Sequence, residues 1–564
     1  MSLFRNATSR FAVNPNVDIK RSTFYQKYGI KTSFNAGQLI PLDWQEVLPG
    51  DTFSVDMACV VRMSTPIHPI MDVIWLDTYF FFVPARLCWN HWKEFMGENT
   101  TSAWEQETEY EIPQITAPTD GWAKGSIMDY MGIPTKVNNL SVNHMPVRAY
   151  VNIWNEWFRD ENLQDPAYID LGDTTTAGSN GSTYVTDAIK GGMPLPVNKY
   201  QDYFTTALPQ PQKGPDITLP IGDTAPVTIQ GNGKSIILTD GTNNFGLMGQ
   251  QENLKAVRPT GYNYEAQNLP HIYTPTPAGA DKFITNNLLV GFDKGTEGTG
   301  LKGTADLSTA TAANINSIRL AFQMQKALEK DARGGTRYVE MIKAHFGVTS
   351  PDARQQRPEY LGGTRMPIDI NQVVQTSSTD STSPQGNTAA YSVTGYKGNG
   401  YTKSFTEHGF VLTLVAIRTT HTYQQGIERK WSRHRRFDYY FPVFANIGEQ
   451  AILNKEIYAQ GNEEDNEAFG YQEPWAEYRY IQNRVSGAMR SNYAQKLDSW
   501  HLADDYDSLP ILGSEWIQET KANIDRTLAV QSSAEDQFFG DFYFINKATR
   551  PMPMYGIPGL VDHH

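Results

Sequence analysis

The run VIWLDTYFFFVPARL, Val73 to Leu87, constrains the chain more than any other feature. It is too apolar for a strand with one wet face and too short to cross a bilayer, so it reads as a strand buried between two sheets, stopped by Pro84. Such a strand needs neighbours. QLIPLDWQEVLPGDTFSVDMACVVRMSTP, just before it, has β-branched and aromatic residues in short runs about an LPGD turn at Leu48–Asp51. The C-terminal part repeats the pattern in GFVLTLVAIRTTHTY, FDYYFPVFANI, EYRYIQNRVSG and FFGDFYFIN, the last spanning Phe538 to Asn546. Strand-like text at both ends, with no fixed-period repeat of the kind a solenoid or propeller requires, predicts a mainly β chain. The expected fold is a single eight-stranded jelly roll with long inter-strand insertions that hold helices and short strands, because one sandwich brings both ends together.

Residues 1–35 are polar and mildly basic, with Arg5, Arg10, Lys20, Arg21, Lys27 and Lys31, and read as an extended arm. Residues 36–170 give the first part of the jelly roll and short helices. The better of these is PVRAYVNIWNEWFRDENLQDP, opened by Pro146, with Val147, Tyr150, Val151, Trp154, Trp157 and Phe158 on one face. From 171 to 313 many Gly, Thr, Asn and Pro residues separate brief apolar runs, which predicts a long, partly β-structured insertion. Residues 314–375 read as a helical insertion: Ile315, Ile318, Ala321, Phe322 and Leu328 share one stripe, and TRYVEMIKAHFG closes at Gly347. A polar loop at 376–401 precedes the last β-rich block, 402–564.

At 564 residues, with 40% apolar, 12% aromatic and only 19% charged residues, the chain has material for a large core and much neutral surface. Neutral surface is what neighbouring subunits cover. The two cysteines, Cys59 and Cys88, form no CxxC pair and suit a reducing compartment as small core residues. No signal-peptide-like stretch and no long apolar span occurs, so neither export nor membrane insertion is expected.

Catalytic chemistry finds no candidates. GNGKS, Gly231 to Ser235, resembles the tail of a phosphate-binding loop, but Thr228 stands where that loop needs glycine. Its flanks, VTIQ and IILTD, instead make Gly231, Asn232, Gly233, Lys234 and Ser235 read as a hairpin turn. No HExxH or GxSxG occurs, the histidines lack metal-ligand spacing, and the acidic run NEEDNE at Asn462–Glu467 lacks the spacing of a calcium loop. No metal, cofactor or catalytic residue is expected.

One constellation stands out. IERKWSRHRRFDYYFP gathers Arg429, Lys430, Trp431, Arg433, Arg435 and Arg436 with Phe437, Tyr439 and Tyr440, against a chain net charge of −13. Cations for phosphate interleaved with flat rings for unstacked bases are how single-stranded nucleic acid is held. The same residues could equally make salt bridges between subunits, with the rings in a core.

Several segments together resemble the major capsid proteins of gokushoviruses, small icosahedral single-stranded-DNA phages of the microvirus family. They are NPNVDIKRSTFYQKYGIKTSFNAGQLIPLDWQEVLPGDTF, WFRDENLQ, KYQDYFTTALPQPQKGP, the Ile315–Gly363 segment beginning INSIRLAFQMQKALEKDARGG, YQQGIERKWSRHRRFDYYFPVFANIGEQAI and the terminal RPMPMYGIPGLVDH. About Ile217 to Ala313 and Thr376 to Tyr401 have no such counterpart. The resemblance implies a structural subunit, not an enzyme, that forms an icosahedral homo-oligomeric shell around circular single-stranded DNA. It also implies an insertion that projects at the threefold axes and meets a host surface receptor. The partners it implies are an internal scaffolding protein, a DNA pilot protein and a small basic DNA-binding protein, with assembly in the host cytoplasm. The rival class is a carbohydrate-binding jelly-roll lectin, which would form small oligomers and package no DNA.

Overall fold

The computed structural model describes residues 20–98, 108–215, 217, 227–231, 236–239, 244–246, 289–292, 301–305, 315–335, 337–352, 356–377, 379 and 384–555. The strands of the sandwich are β1 (Ser22–Phe34), β2 (Ile40–Val47), β3 (Thr52–Met63), β4 (Ile74–Pro84), β5 (Glu359–Pro367), β6 (Thr394–Ser404), β7 (Gly409–Thr419) and β8 (Phe538–Arg550). They form two four-stranded antiparallel sheets, ordered β1-β8-β3-β6 and β5-β4-β7-β2. The chain changes sheet at every step except β4 to β5, which is the jelly-roll connectivity. Phe53, Val55, Met57, Phe542 and Phe544 of the first sheet face Leu76, Phe80, Phe82, Val411 and Val415 of the second across one core.

The residues expected as an N-terminal arm include β1, which pairs with β8 along its whole length, Ser22↔Arg550 to Phe34↔Phe538. The reason lies in the strand period of two. Tyr25, Lys27, Gly29 and Lys31 are exposed, while Phe24, Tyr28 and Ile30 alternate with them and are half-buried. Of the cations read as an arm, Lys27 and Lys31 are thus on the wet side of a strand. Residues 1–19 lie outside the described residues.

A second core covers the outer face of the second sheet. Phe81, Val83, Phe410, Leu412, Leu414 and Ala416 pack with Val147, Tyr150, Val151 and Trp154 of helix α1 (Met145–Trp157). Pro146 sits in its first turn, as expected. The Tyr150 hydroxyl locks the helix to the sheet side, donating to Leu39 O at 2.6 Å and accepting from Leu195 N at 2.9 Å. Within Val73–Leu87, strand β4 is therefore buried on both faces, but between a sheet and a helical layer rather than between two sheets. An apolar period shows that cover is needed on both sides and not which element supplies it.

Two stretches expected as helical insertion and polar loop contribute strands. β5 pairs with β4 and β6 with β3. Their glycines conceal them: a Cβ on Gly363 would lie 2.3 Å from Thr78 O, and one on Gly400 2.8 Å from Val55 O. Close backbone approach, not apolar alternation, defines these strands. The expected helices are present as α2 (Ile315–Gly334) and α3 (Tyr338–Phe346), the latter ended by left-handed Gly347, whose N–H donates to Lys343 O at 3.0 Å.

Residues 216–325 form a second compact unit, whereas 171–215 belong to the sandwich unit. In the second unit Val227–Gly231 pairs with Leu301–Ala305, and Ile236–Thr239 pairs with Asn244–Gly246 and Leu289–Phe292. The GNGKS hairpin is thus corrected: its flanking strands belong to different sheets and do not pair with each other. Turn residues permit a reversal, but the partner is chosen by strands far along the chain. Gly231 ends its strand; Asn232, Gly233, Lys234 and Ser235 lie outside the described residues.

Candidate nucleic-acid and subunit interface

The basic run lies in the long connection from β7 to β8, in three single 3-10 turns: Arg429–Ser432, Arg436–Asp438 and Pro442–Phe444. Asp438 builds the middle turn, its Oδ2 accepting from the backbone N–H groups of Arg435 at 2.6 Å and His434 at 2.7 Å. These bonds hold its carboxyl below the usual carboxylate range.

The cations divide into two sets. Arg429 donates to Ala451 O at 2.5 Å and lies 3.6 Å from Glu456, and Lys430 pairs with Glu428. Arg433 is largely buried, pairs with Glu477 at 3.1 Å, and stacks over Tyr478 at 4.4 Å and Tyr439 at 5.3 Å. Arg429 and Arg433 tie the turns to the segments that follow, whereas Lys430 pairs within its own turn region. Arg435 and Arg436 are exposed and have no carboxylate partner among the described residues; Arg436 lies over Phe437 and Phe441 at 5.6 and 5.5 Å. Trp431 is 72% exposed beside them in sequence, and Phe437 and Tyr439 are exposed too. The ion pairs of the run are within the chain rather than between subunits, and Arg435, Arg436 and Trp431 are among its exposed residues. The expected aromatic core is supplied instead by Trp475, whose indole donates to Phe444 O at 3.0 Å and meets Tyr440 edge-on at 5.8 Å.

Sequence reading missed the acids that divide the set, because Glu456 and Glu477 sit far downstream in unremarkable text. It also missed a buried clasp. His421, just past β7, lies 2.8 Å from Asp504 and 3.1 Å from Glu519. Burial alone would push its imidazole down, yet the two carboxylates overcome it and hold the pKa up at about 10. Both ring nitrogens therefore donate. Asp504 also accepts from Asn523 at 2.6 Å, and Glu519 from the Thr419 N–H at 3.0 Å. The clasp pins the late part of the connection to the end of β7.

The acidic run is accounted for locally, since Asp465 accepts from the N–H groups of Gln460 and Gly461 at 2.8 and 2.7 Å. Among the described residues no group of His, Cys, Asp and Glu is placed to hold a metal ion, and no helix is long and apolar enough to cross a membrane. Cys59 and Cys88 are both buried and free.

A jelly roll with paired and unpaired arginines fits many proteins; comparison decides. Residues 12–560 match the family model described as capsid protein (F protein). The chain belongs to this capsid protein family. It is 43% identical to capsid protein VP1 of Bdellovibrio phage phiMH2K over 98% of both chains. It is 42% identical to capsid protein VP1 of Spiroplasma virus 4 over 99% of both, and 41% identical to that of Chlamydia phage 1 over 98% of both. The resemblance to gokushovirus major capsid proteins therefore holds over essentially the whole chain. A capsid protein of this family is a structural component of the virion and not an enzyme.

Proposed function

We propose that this capsid protein self-assembles into an icosahedral shell enclosing circular single-stranded DNA, with assembly in the host cytoplasm. The observation that carries the reading is the apolar surface of the β7–β8 connection: Ile481 is 92%, Val443 81% and Trp431 72% exposed. Leu320, Phe322, Tyr338 and Phe346 on α2 and α3 are exposed as well. Side chains of this size concentrated in single segments mark surfaces that other molecules cover. Closed symmetry lets modest contacts sum to a stable shell. Arg435, Arg436, Trp431 and Phe437 are the residues of the basic run left for DNA, while Arg429 and Arg433 serve the fold and Lys430 makes a local surface pair with Glu428.

In this reading the part of the expected insertion, 171–313, that lies beyond the sandwich unit, from residue 216 on, projects at the threefold axes and contacts a host surface receptor, with Gly231 to Ser235 among its candidate tips. An internal scaffolding protein, a DNA pilot protein and a small basic DNA-binding protein complete assembly, the last offsetting the chain's charge of −13. Electron microscopy of nuclease-treated host lysate tests the proposal: icosahedral particles with protected DNA are expected, and uniformly small oligomers contradict it. Replacing Gly231–Ser235 should reduce host adsorption while particles still form; normal adsorption by the altered particles would remove the attachment role.

A further inference from the structure

Among the described residues, no second core covers the outer face of the first sheet. Its inner residues join the sandwich core, whereas none of its strands contributes to the helical layer that backs the second sheet. Register places the outward residues in rows across β1, β8, β3 and β6. The central row is Gly29, Tyr543, Ala58 and Lys397. Lys27 and Lys547 stand diagonally about 7–8 Å apart at the next two levels.

Charge on this face opposes the charge of the chain. Lys31 pairs with Asp541 at 3.3 Å, and Asp56 is the other outward acid of these strands. Lys27, Arg62, Lys397 and Lys547 are exposed and have no carboxylate partner among the described residues. Rings stand among them: Tyr25 is 67% and Tyr543 43% exposed. The neighbours of Tyr543 in its row are small. A Cβ on Gly29 would sit 3.7 Å from Tyr543 Cδ2, so it is the missing side chain of Gly29 that leaves that flank of the ring open.

We infer that this outer face is a platform for single-stranded DNA and lines the lumen of the shell. Protein interfaces deplete lysine at their centre, because a desolvated cation without a partner is costly. A phosphate chain neutralises every cation on the face at once. The exposed rings of the face can take unstacked bases, with Tyr543 about 10 Å from Lys397 two strands away. The basic run at Arg435 and Arg436 is a separate contact, so the face carries its own test.

The inference rests on the proposal that the shell encloses DNA, and the experiment separates the two. Unassembled full-length chain is titrated with oligodeoxythymidylate at several salt concentrations, beside a K27Q/R62Q/K397Q/K547Q variant. The slope of log affinity against log salt should fall by about 3, at roughly 0.7 per lost phosphate contact. Ultraviolet crosslinking of purified particles should give a thymine adduct on Tyr543, absent in Tyr543→Leu, which keeps the strand packed. An unchanged slope with no adduct on Tyr25 or Tyr543, in particles that contain DNA, overturns the platform and leaves enclosure standing. Particles without DNA overturn both. A variant that keeps affinity and slope but no longer assembles makes the face a contact between copies, and the inference fails.

Discussion

The two sheets of the sandwich are built from the same number of strands and differ in what lies behind them. The second is covered on both faces, and its strand β7, GFVLTLVAIRT, is buried at every position but Arg418. Its buried acid is matched: Asp77 accepts from Arg365 at 2.8 Å and Arg418 at 3.1 Å, with the Tyr200 ring 4.2 Å from each guanidinium. The first is covered on one face, and β8, FFGDFYFINKATR, alternates buried and exposed residues. A doubly covered sheet is committed to stability. A half-covered one keeps a surface free for the virion.

Truncation should expose that difference most strongly. Phe81→Ala, on the helix-covered face, should cost about 4 kcal/mol in urea unfolding of the unassembled chain. Tyr543→Leu, on the bare face, should cost less than about 1 kcal/mol. Equal costs would break the comparison.

The covered sheet also anchors the β7–β8 connection through His421. His421→Gln leaves Asp504 and Glu519 buried without their cation and should cost about 3 kcal/mol. The pH dependence has a definite sign. With the folded pKa at about 10 and the unfolded near 6.5, the clasp stabilises fully below about pH 6.5 and loses that contribution as pH rises toward 10. Melting at pH 6.5 and pH 9.5 should show this decline in the parent and its absence in the variant. A parallel decline in both would remove the clasp.

The smallest expected stability change is on the bare face. Gly29→Val has ordinary strand backbone and space outward, so stability should move by no more than about 0.5 kcal/mol. Its side chain fills the flank of Tyr543 and should weaken oligodeoxythymidylate binding several-fold, read in the same titration. A stable variant with parental affinity would show that the open ring is not used.

The covered sheet was the more legible in sequence, because β4 and β7 are apolar runs without a period and α1 shows both a Pro start and a stripe. β5 and β6 were not, since Gly363 and Gly400 mark close backbone contacts that apolar pattern does not register. The arginine run was visible, but its division into fold-holding and free residues depends on Glu456 and Glu477, which only the fold brings near. The bare face was least legible of all. Lys27, Arg62, Lys397 and Lys547 come from four strands that are not neighbours in sequence, and the alternation that turns them outward looks like polar text when β1 is read alone.

If the bare sheet faces the genome inside a closed shell, the particle itself must show it. Cryo-electron microscopy of nuclease-treated particles tests it most directly. A closed icosahedral shell of this chain is expected, with the β1-β8-β3-β6 face toward the lumen and density lying over Tyr543 and Lys547. A shell in which that face points outward, or is buried beneath a neighbouring copy, would contradict it.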